Sequence, residues 1–142
     1  MTLFDVPAAD PGGGVAPGPV ADGSASIRMT VAYDGSAFHG FARQRDQRTV
    51  ARVLEAALAR VLRTEVQVAC AGRTDAGVHA TGQVVHCDVP DGVVVDRLAH
   101  KLNSLLHESG IRINRVVVGP AGFDARFSPI FRRYEYRISD AN

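Results

Sequence analysis

The sequence contains 142 residues, of which 46% are hydrophobic and 22% are charged, the balance expected of one globular domain with a core of useful size. It has no apolar run of membrane-spanning length and no secretory signal pattern at its start, so we predict a cytoplasmic protein that does not enter a membrane. The net charge is only +1, although all 16 basic residues follow position 26; 15 of them are arginines, which suits a nucleic-acid partner but equally fits a GC-rich genome.

The first part of the chain predicts a leader, a strand and a helix. Residues 1–26 are rich in Gly, Pro, Ala and Asp without apolar periodicity, which predicts a disordered leader. Apolar side chains alternate with others over residues 28–33, the period of a half-buried strand. After a loop that carries three arginines, Thr49 is the predicted N-cap of a helix that runs to about Arg63, with its apolar residues on one face.

The rest of the chain predicts four more strands and a second helix. Residues 65–71 and 82–89 alternate as the second and third strands, and Asp96 is the predicted N-cap of the second helix. Residues 111–118 and 132–139 are the predicted fourth and fifth strands. The order β-α-β-β-α-β, followed by one strand, predicts an α+β fold of the ferredoxin-like type, in which a four-stranded antiparallel sheet carries both helices on one face.

The cysteines and histidines give no sign of a metal site. Cys70 and Cys87 fall on neighbouring predicted strands and form neither a CxxC pair nor metal-ligand spacing, and the five histidines are scattered. We therefore predict two buried free thiols, as is usual in a reducing compartment.

The stretch AGRTDAGVHATGQVVH, residues 71–86, is the most unusual part of the sequence. Its connection between two predicted strands is longer than the two to five residues that a hairpin needs, and it places Asp75 two residues after Arg73. Residue chemistry alone has a simple explanation for each group. Asp75 is a favoured turn residue, Arg73 is a candidate for a surface ion pair, and His79 is a candidate for a solvated side chain.

GRTDAGVHATGQV resembles the signature of the TruA family of tRNA pseudouridine synthases. Further segments agree in the same order, from about Met29 to Ile138: AYDGSAFHGFARQ, TVARVLEAAL, KLNSLL and FDARFS followed by RRYEYRI. The resemblance implies that Asp75 is the catalytic residue, that Arg73 supports the active site, and that the ring of Tyr134 stacks on the substrate uracil. One well-placed aspartate is chemically sufficient for such a reaction, so we expect no metal and no organic cofactor, and we assign His79 no proton transfer.

The activity that the resemblance implies is the isomerisation of uridine to pseudouridine in the anticodon stem-loop of tRNA. The enzyme breaks the bond between C1′ and N1, turns the base, and rejoins it through C5. A carboxylate held against C1′ stabilises the positive charge that develops there or forms a covalent adduct. The residues leave three routes open, since Asp75 can attack C1′, attack C6 of the base, or assist elimination.

Members of that family are longer than this chain. The resemblance therefore implies that residues 27–142 form the N-terminal catalytic domain of such an enzyme, without its C-terminal half, and that the full-length enzyme is a homodimer. Independent activity is in doubt on this reading, and an exposed sheet edge is expected. Two alternatives remain open: an RNA-binding module of ferredoxin-like fold without turnover, and an assembly domain without an RNA partner. Two sets of arginines are candidate phosphate contacts, namely Arg43, Arg45 and Arg48, and Arg126, Arg132 and Arg133.

Overall fold

A computed structural model of the protein describes residues 2–4, 24–90, 92–118 and 133–135. The strands and helices in chain order are β1 (Thr2–Phe4), β2 (Ser24–Tyr33), α1 (Val50–Leu62), β3 (Ala69–Cys70), β4 (His79–Pro90), α2 (Leu98–Leu106), β5 (Ile111–Val118) and β6 (Arg133–Glu135). In addition, short 3₁₀ turns occupy Gly35–Ala37, after β2, and Val95–Arg97, before α2. No helix of these described residues is both long and apolar enough to cross a bilayer.

Strands β5, β2, β4 and β3 lie side by side in that order, and every neighbouring pair is antiparallel. On β2, Met29, Val31 and Tyr33 are buried while the residues between them are partly exposed, so one face of the strand is apolar. The buried leucines of both helices, such as Leu54 and Leu102, join these residues in a single core. Both helices therefore cover one face of the sheet, and the predicted ferredoxin-like fold is confirmed.

The N-terminal segment, predicted to be a disordered leader, contains one short strand and the first residues of a second strand. Thr2–Phe4 forms β1, which pairs in parallel with the start of β4, and β2 begins at Ser24. These pairings satisfy backbone groups on the edges of the long strand β4, and the disordered leader as a whole stays a prediction. The remainder of the predicted leader, residues 5–23, lies outside the described residues.

Three predicted elements have different bounds in the structure. The second strand is short, because the chain before Ala69 packs against α1, where Glu55 Oε2 accepts a hydrogen bond from Val68 N–H at 3.1 Å. Asp96 is not an N-cap: it lies within a 3₁₀ turn, and α2 begins at Leu98 without a side-chain cap. Of the predicted fifth strand, Arg133–Glu135 is a strand, and the rest lies outside the described residues.

The two thiols are free and buried, as predicted, and we expect them to be unreactive in the folded protein. Cys70 and Cys87 are 5% and 1% exposed, and burial raises the pKa of Cys87 to about 12. Because the thiolate is the nucleophile, 5,5′-dithiobis(2-nitrobenzoic acid) at pH 8 should label neither cysteine in native protein and both in guanidinium chloride. Rapid labelling of the folded chain would contradict this burial.

Candidate active site

The connection between β3 and β4 is a structured corner and not a loose loop. Asp75 to Val78 form a β-turn, in which Val78 N–H donates to the carbonyl oxygen of Asp75 at 3.2 Å. Gly77, the third residue of this turn, has φ +80°, the left-handed value that a type II turn needs and that glycine adopts without strain. Strand β4 begins one residue after the turn, at His79. The connection between β3 and β4 is therefore long because it contains a defined β-turn.

Buried and exposed residues alternate along the segment that leads into this turn. Gly72 and Thr74 are buried, whereas Arg73 and Asp75 are exposed. Such alternation is typical of an extended segment with one side against the protein. Arg73 and Asp75, the two candidate site residues, thus share the outward side of the segment. Gly72 and Thr74 lie on the side that contacts the protein.

A buried polar network holds the inward side of the segment. The hydroxyl of Thr74 lies 2.7 Å from the hydroxyl of Tyr33, and either can be the donor. The side-chain amide of Gln83, which is fully buried, bonds to both backbone groups of Gly72 and donates to the Tyr33 hydroxyl at 3.4 Å. Four residues from three separate parts of the chain therefore satisfy one another, as buried polar groups require.

The loop after β2 supports the same corner through backbone hydrogen bonds. Phe41 N–H donates to the carbonyl oxygen of Thr74 at 3.0 Å, and Gly77 N–H donates to that of Phe38 at 3.3 Å. The rings of Phe38 and Phe41 are both buried. The segment AYDGSAFHGFARQ, singled out in the sequence for its resemblance, thus lies directly against the turn that carries Asp75.

Arg73 and Asp75 do not bond to each other. Among the residues that the structure describes, ion pairs join four other pairs of side chains and none includes Arg73 or Asp75. Arg73 instead lines a cavity of about 320 Å³ between the first loop and β3, together with Phe41, Glu55 and Cys70. The exposed Asp75 side chain therefore remains open to solvent and to a ligand.

His79 is bonded within the corner. Its Nδ1 accepts a hydrogen bond from Gly35 N–H at 2.9 Å and lies 3.2 Å from a carboxylate oxygen of Asp34. One nitrogen cannot accept from Gly35 and donate to Asp34 at once, and the backbone N–H is a fixed donor, so we assign Nδ1 as the acceptor. Hydrogen bonds from the Ser36 hydroxyl and N–H lower the pKa of Asp34. This geometry supports a structural His79.

The strand that carries Tyr134 reaches the same end of the sheet as the Asp75 turn. In β6, Tyr134 pairs with Leu3 of β1, and Leu3 pairs on its other side with Ala80, the second residue of β4. Two strand spacings, or about 10 Å, therefore separate the backbone of Tyr134 from that of Ala80. The structure describes the backbone of Tyr134 and not its ring, so the stacking role of that ring stays a prediction.

Two of the three arginines in the first loop already have partners within the folded chain. Arg43 makes a two-point hydrogen bond with the carboxylate of Glu55, which raises the pKa of Arg43. Arg48 stacks on the Phe38 ring, 4.3 Å from its centroid, and donates to two backbone carbonyl oxygens. Arg45 has a side chain that is 97% exposed and remains a candidate phosphate contact. Arg126 and Arg132 lie outside the described residues, and Arg133 is described as part of β6.

The ion pair between Arg43 and Glu55 is expected to matter for stability. The Glu55 side chain is 10% exposed, so Arg43→Ala leaves a nearly buried carboxylate with only the Val68 N–H as a described partner. We expect a loss of about 2 kcal/mol in the free energy of unfolding, measured by urea denaturation. Arg45→Ala, which removes an exposed and loosely paired arginine, is the control and should cost under about 0.5 kcal/mol. Equal losses in the two variants would contradict the role given to this pair.

The sequence did not identify the residues that support the corner. The sequence pattern places Tyr33 on the apolar face of a strand and predicts no role for Thr74 or Gln83. A polar residue inside an apolar strand pattern, as in GQVVH, is the one available signal for Gln83. Within the described residues no group of three His, Cys, Asp or Glu side chains could hold a metal ion.

The sequence is similar to those of several curated proteins. A family model described as tRNA pseudouridine synthase matches residues 29–128, which is more than half of the chain. The chain is 51% identical over 121 residues to tRNA pseudouridine synthase A of Frankia casuarinae, an alignment that covers 84% of this chain and 44% of the relative. The protein of the same name from Leifsonia xyli is 44% identical over 138 residues, covering 84% and 48%, and that from Corynebacterium glutamicum is 48% identical over 123 residues, covering 80% and 42%. The chain thus spans a little less than half the length of the curated relatives it matches.

Proposed function

The chain belongs to the TruA family of tRNA pseudouridine synthases, and we propose that it isomerises uridine to pseudouridine in tRNA with Asp75 as the catalytic residue. One observation supports this most directly: an exposed carboxylate stands on a corner that backbone hydrogen bonds and a buried side-chain hydrogen bond hold in place. A reacting group gains most when its position is fixed before the substrate arrives. A flexible surface aspartate would lack this advantage.

The chemistry places a defined demand on that carboxylate. When the N1–C1′ bond of uridine breaks, C1′ becomes electron-poor, and a carboxylate in contact with it stabilises the charge or bonds to it. The uracil then turns and its C5 bonds to C1′; the hydrogen on C5 leaves as a proton, and N1 takes one up. The product is an isomer of the substrate, so the reaction needs no oxidant or reductant. The three routes open to Asp75 remain alternatives: attack on C1′, attack on C6 of the base, and assistance to elimination.

Arg73 and Tyr134 complete the proposed site. Arg73 lies on the outward side with Asp75 and forms no ion pair among the described residues, which suits a contact with the phosphate of the reacting nucleotide. The reacting base has to leave its stack, and a flat ring on which it can rest reduces the cost of unstacking. We assign this role to Tyr134, whose backbone lies at the same end of the sheet as the turn.

The experiment that tests the proposed function follows the hydrogen lost from C5. tRNA carrying tritium at C5 of its uridines releases tritium into water only if C5 forms a new bond. The chain is assayed by itself and together with the C-terminal half of the Frankia casuarinae relative, because it spans less than half of that protein. We expect release in the presence of that half. Binding of tRNA without release in either assay would favour the alternative, an RNA-binding module of the same fold.

The finer parts of the proposal concern the target and the assembly. We propose that the modified uridines lie in the anticodon stem-loop and that the active protein is a cytoplasmic homodimer, as the resemblance of the sequence implies. An isolated anticodon stem-loop should therefore release tritium, whereas a minihelix made from the acceptor and T arms should not. Sedimentation of the active protein at twice the monomer mass would support the dimer.

A further inference from the structure

The buried hydroxyl groups beneath Asp75 carry an inference that rests on the proposed function. We propose that Tyr33 and Thr74 are positioning residues: their hydrogen bond fixes the direction in which Asp75 presents its carboxylate to the reacting nucleotide. Neither residue is exposed enough to touch a substrate, since each is 4% exposed. Both act through the backbone segment that carries Arg73 and Asp75.

The Tyr33 hydroxyl is a fixed point. Its ring lies on the central strand β2 and packs against two other buried rings, with centroid distances of 6.4 Å to Phe38 and 6.2 Å to Phe41. The hydroxyl receives a hydrogen bond from the fully buried amide of Gln83 on the neighbouring strand β4. A group held by two strands and two rings can orient the residue to which it bonds.

Thr74 transmits this position to the residue beside it. Its hydroxyl lies 2.7 Å from that of Tyr33, and its carbonyl oxygen accepts from Phe41 N–H at 3.0 Å. Two hydrogen bonds on different atoms of one residue restrict rotation of the adjoining peptide, which leads directly to Asp75. Gln83 holds Gly72 in the same way from the other end, so the segment is fixed on both sides of Arg73.

A purely structural role explains the polar groups poorly. Valine in place of Thr74 and phenylalanine in place of Tyr33 fill nearly the same volume, and replacing both partners of a buried hydrogen bond by apolar groups of the same shape costs little stability. Unlike apolar packing, a hydrogen bond is directional. Its value at this place is therefore the orientation of the segment, which a reaction at a single carbon atom requires.

The test is the steady-state kinetics of tritium release by Thr74→Val and Tyr33→Phe. Because the backbone bond from Phe41 remains, we expect both variants to fold, with kcat lower by about 10-fold or more and KM for tRNA within about 2-fold of the wild type. Thr74→Ser, which keeps the hydroxyl, should restore most of kcat. The double variant should be no slower than the slower single variant, because both changes break the same bond. Unchanged kcat, a change confined to KM, or losses that multiply would overturn the inference.

Thr49→Val is the matched control. Thr49 is also a fully buried threonine with a hydrogen-bonded hydroxyl, which accepts from Arg52 N–H at the start of α1. Its replacement should lower the melting temperature without lowering kcat below that temperature. A fall in kcat equal to that of Thr74→Val would mean that loss of stability, and not of orientation, explains both.

Hydrogen exchange of the chain without RNA separates failure of this inference from failure of the proposed function. Thr74→Val should speed exchange at the amides of Gly77 and Val78 by about 10-fold, with α1 no more affected than in the control. Unchanged exchange at the two amides overturns the positioning role whether or not the enzyme turns over. A wild-type chain that gives no tritium release in either assay refutes the proposed function, and the exchange of Gly77 and Val78 then decides the positioning role alone.

Discussion

Asp75→Asn is expected to lower kcat for tritium release at least about 10³-fold, the scale of loss when a group that acts on the reacting atoms is removed. Asparagine has nearly the same size and can make similar turn contacts, but it cannot act as a nucleophile or neutralise positive charge at C1′. Asp75 is exposed and forms no ion pair among the described residues, so the change should leave stability nearly untouched. tRNA affinity should also stay close to that of the wild type.

The measurement compares Asp75→Asn with Asp88→Asn in tritium release, in tRNA binding and in melting temperature. Asp88 is an exposed aspartate on β4, near the end of that strand that is remote from the turn. It controls for the loss of one negative surface charge, which by itself strengthens RNA binding because it reduces repulsion of the phosphates. If Asp75→Asn retained a tenth of the wild-type rate, Asp75 would not be the catalytic residue. If both variants strengthened tRNA binding equally, that effect would be one of charge.

Much of the fold could be predicted from the sequence, because most of its strands and helices have a clear local pattern of residues. The alternation in β2 and in β5 predicted both strands, and residues 111–118 are a strand as predicted. Thr49 caps α1 as expected, since its side chain accepts from Arg52 N–H. By contrast, β1 has three residues and no periodicity. Its pairing with β4 depends on a strand edge that forms only in the folded chain, so no local pattern could indicate it.

The sequence predicted the candidate site residues but not the residues that support them, for a related reason. The motif identified Asp75 and Arg73 by chemistry and resemblance, but their supports lie far away in the chain. Tyr33 and Thr74 are 41 positions apart, and Tyr33 and Gln83 are 50 positions apart. A sequence shows that each side chain is polar and does not show its partner. The same holds for Arg43, which is as basic as Arg45 in the sequence but is held by Glu55 in the fold.

Gly35→Ala is expected to destabilise the protein by about 3 kcal/mol or more and to lower its melting temperature by roughly 10 °C or more. A Cβ at this position would lie 1.9 Å from the carbonyl oxygen of Val78 and 2.2 Å from its carbonyl carbon. These are backbone atoms, so no side chain can move aside to make room. Either Val78 or the loop after β2 has to shift.

The expected shift also reaches the turn that carries Asp75. Val78 closes the turn that begins at Asp75, and Gly35 N–H donates to Nδ1 of the next residue, His79. The folded Gly35→Ala variant should therefore show a lower kcat as well as lower stability, because the added Cβ displaces Val78 and with it the turn that carries Asp75. A thermal melt and a rate measured well below the melting temperature give the two effects separately.

Gly92→Ala is the control for a glycine-to-alanine change without a clash. Gly92 has φ +85°, and a Cβ there meets no atom of the described residues within 4 Å, so only backbone strain of about 1 kcal/mol is expected. If Gly35→Ala were no more damaging than this control, the close approach of the loop to Val78 would not be a constraint on the fold. A large loss of stability with full activity in the folded fraction would instead separate the loop from the position of Asp75.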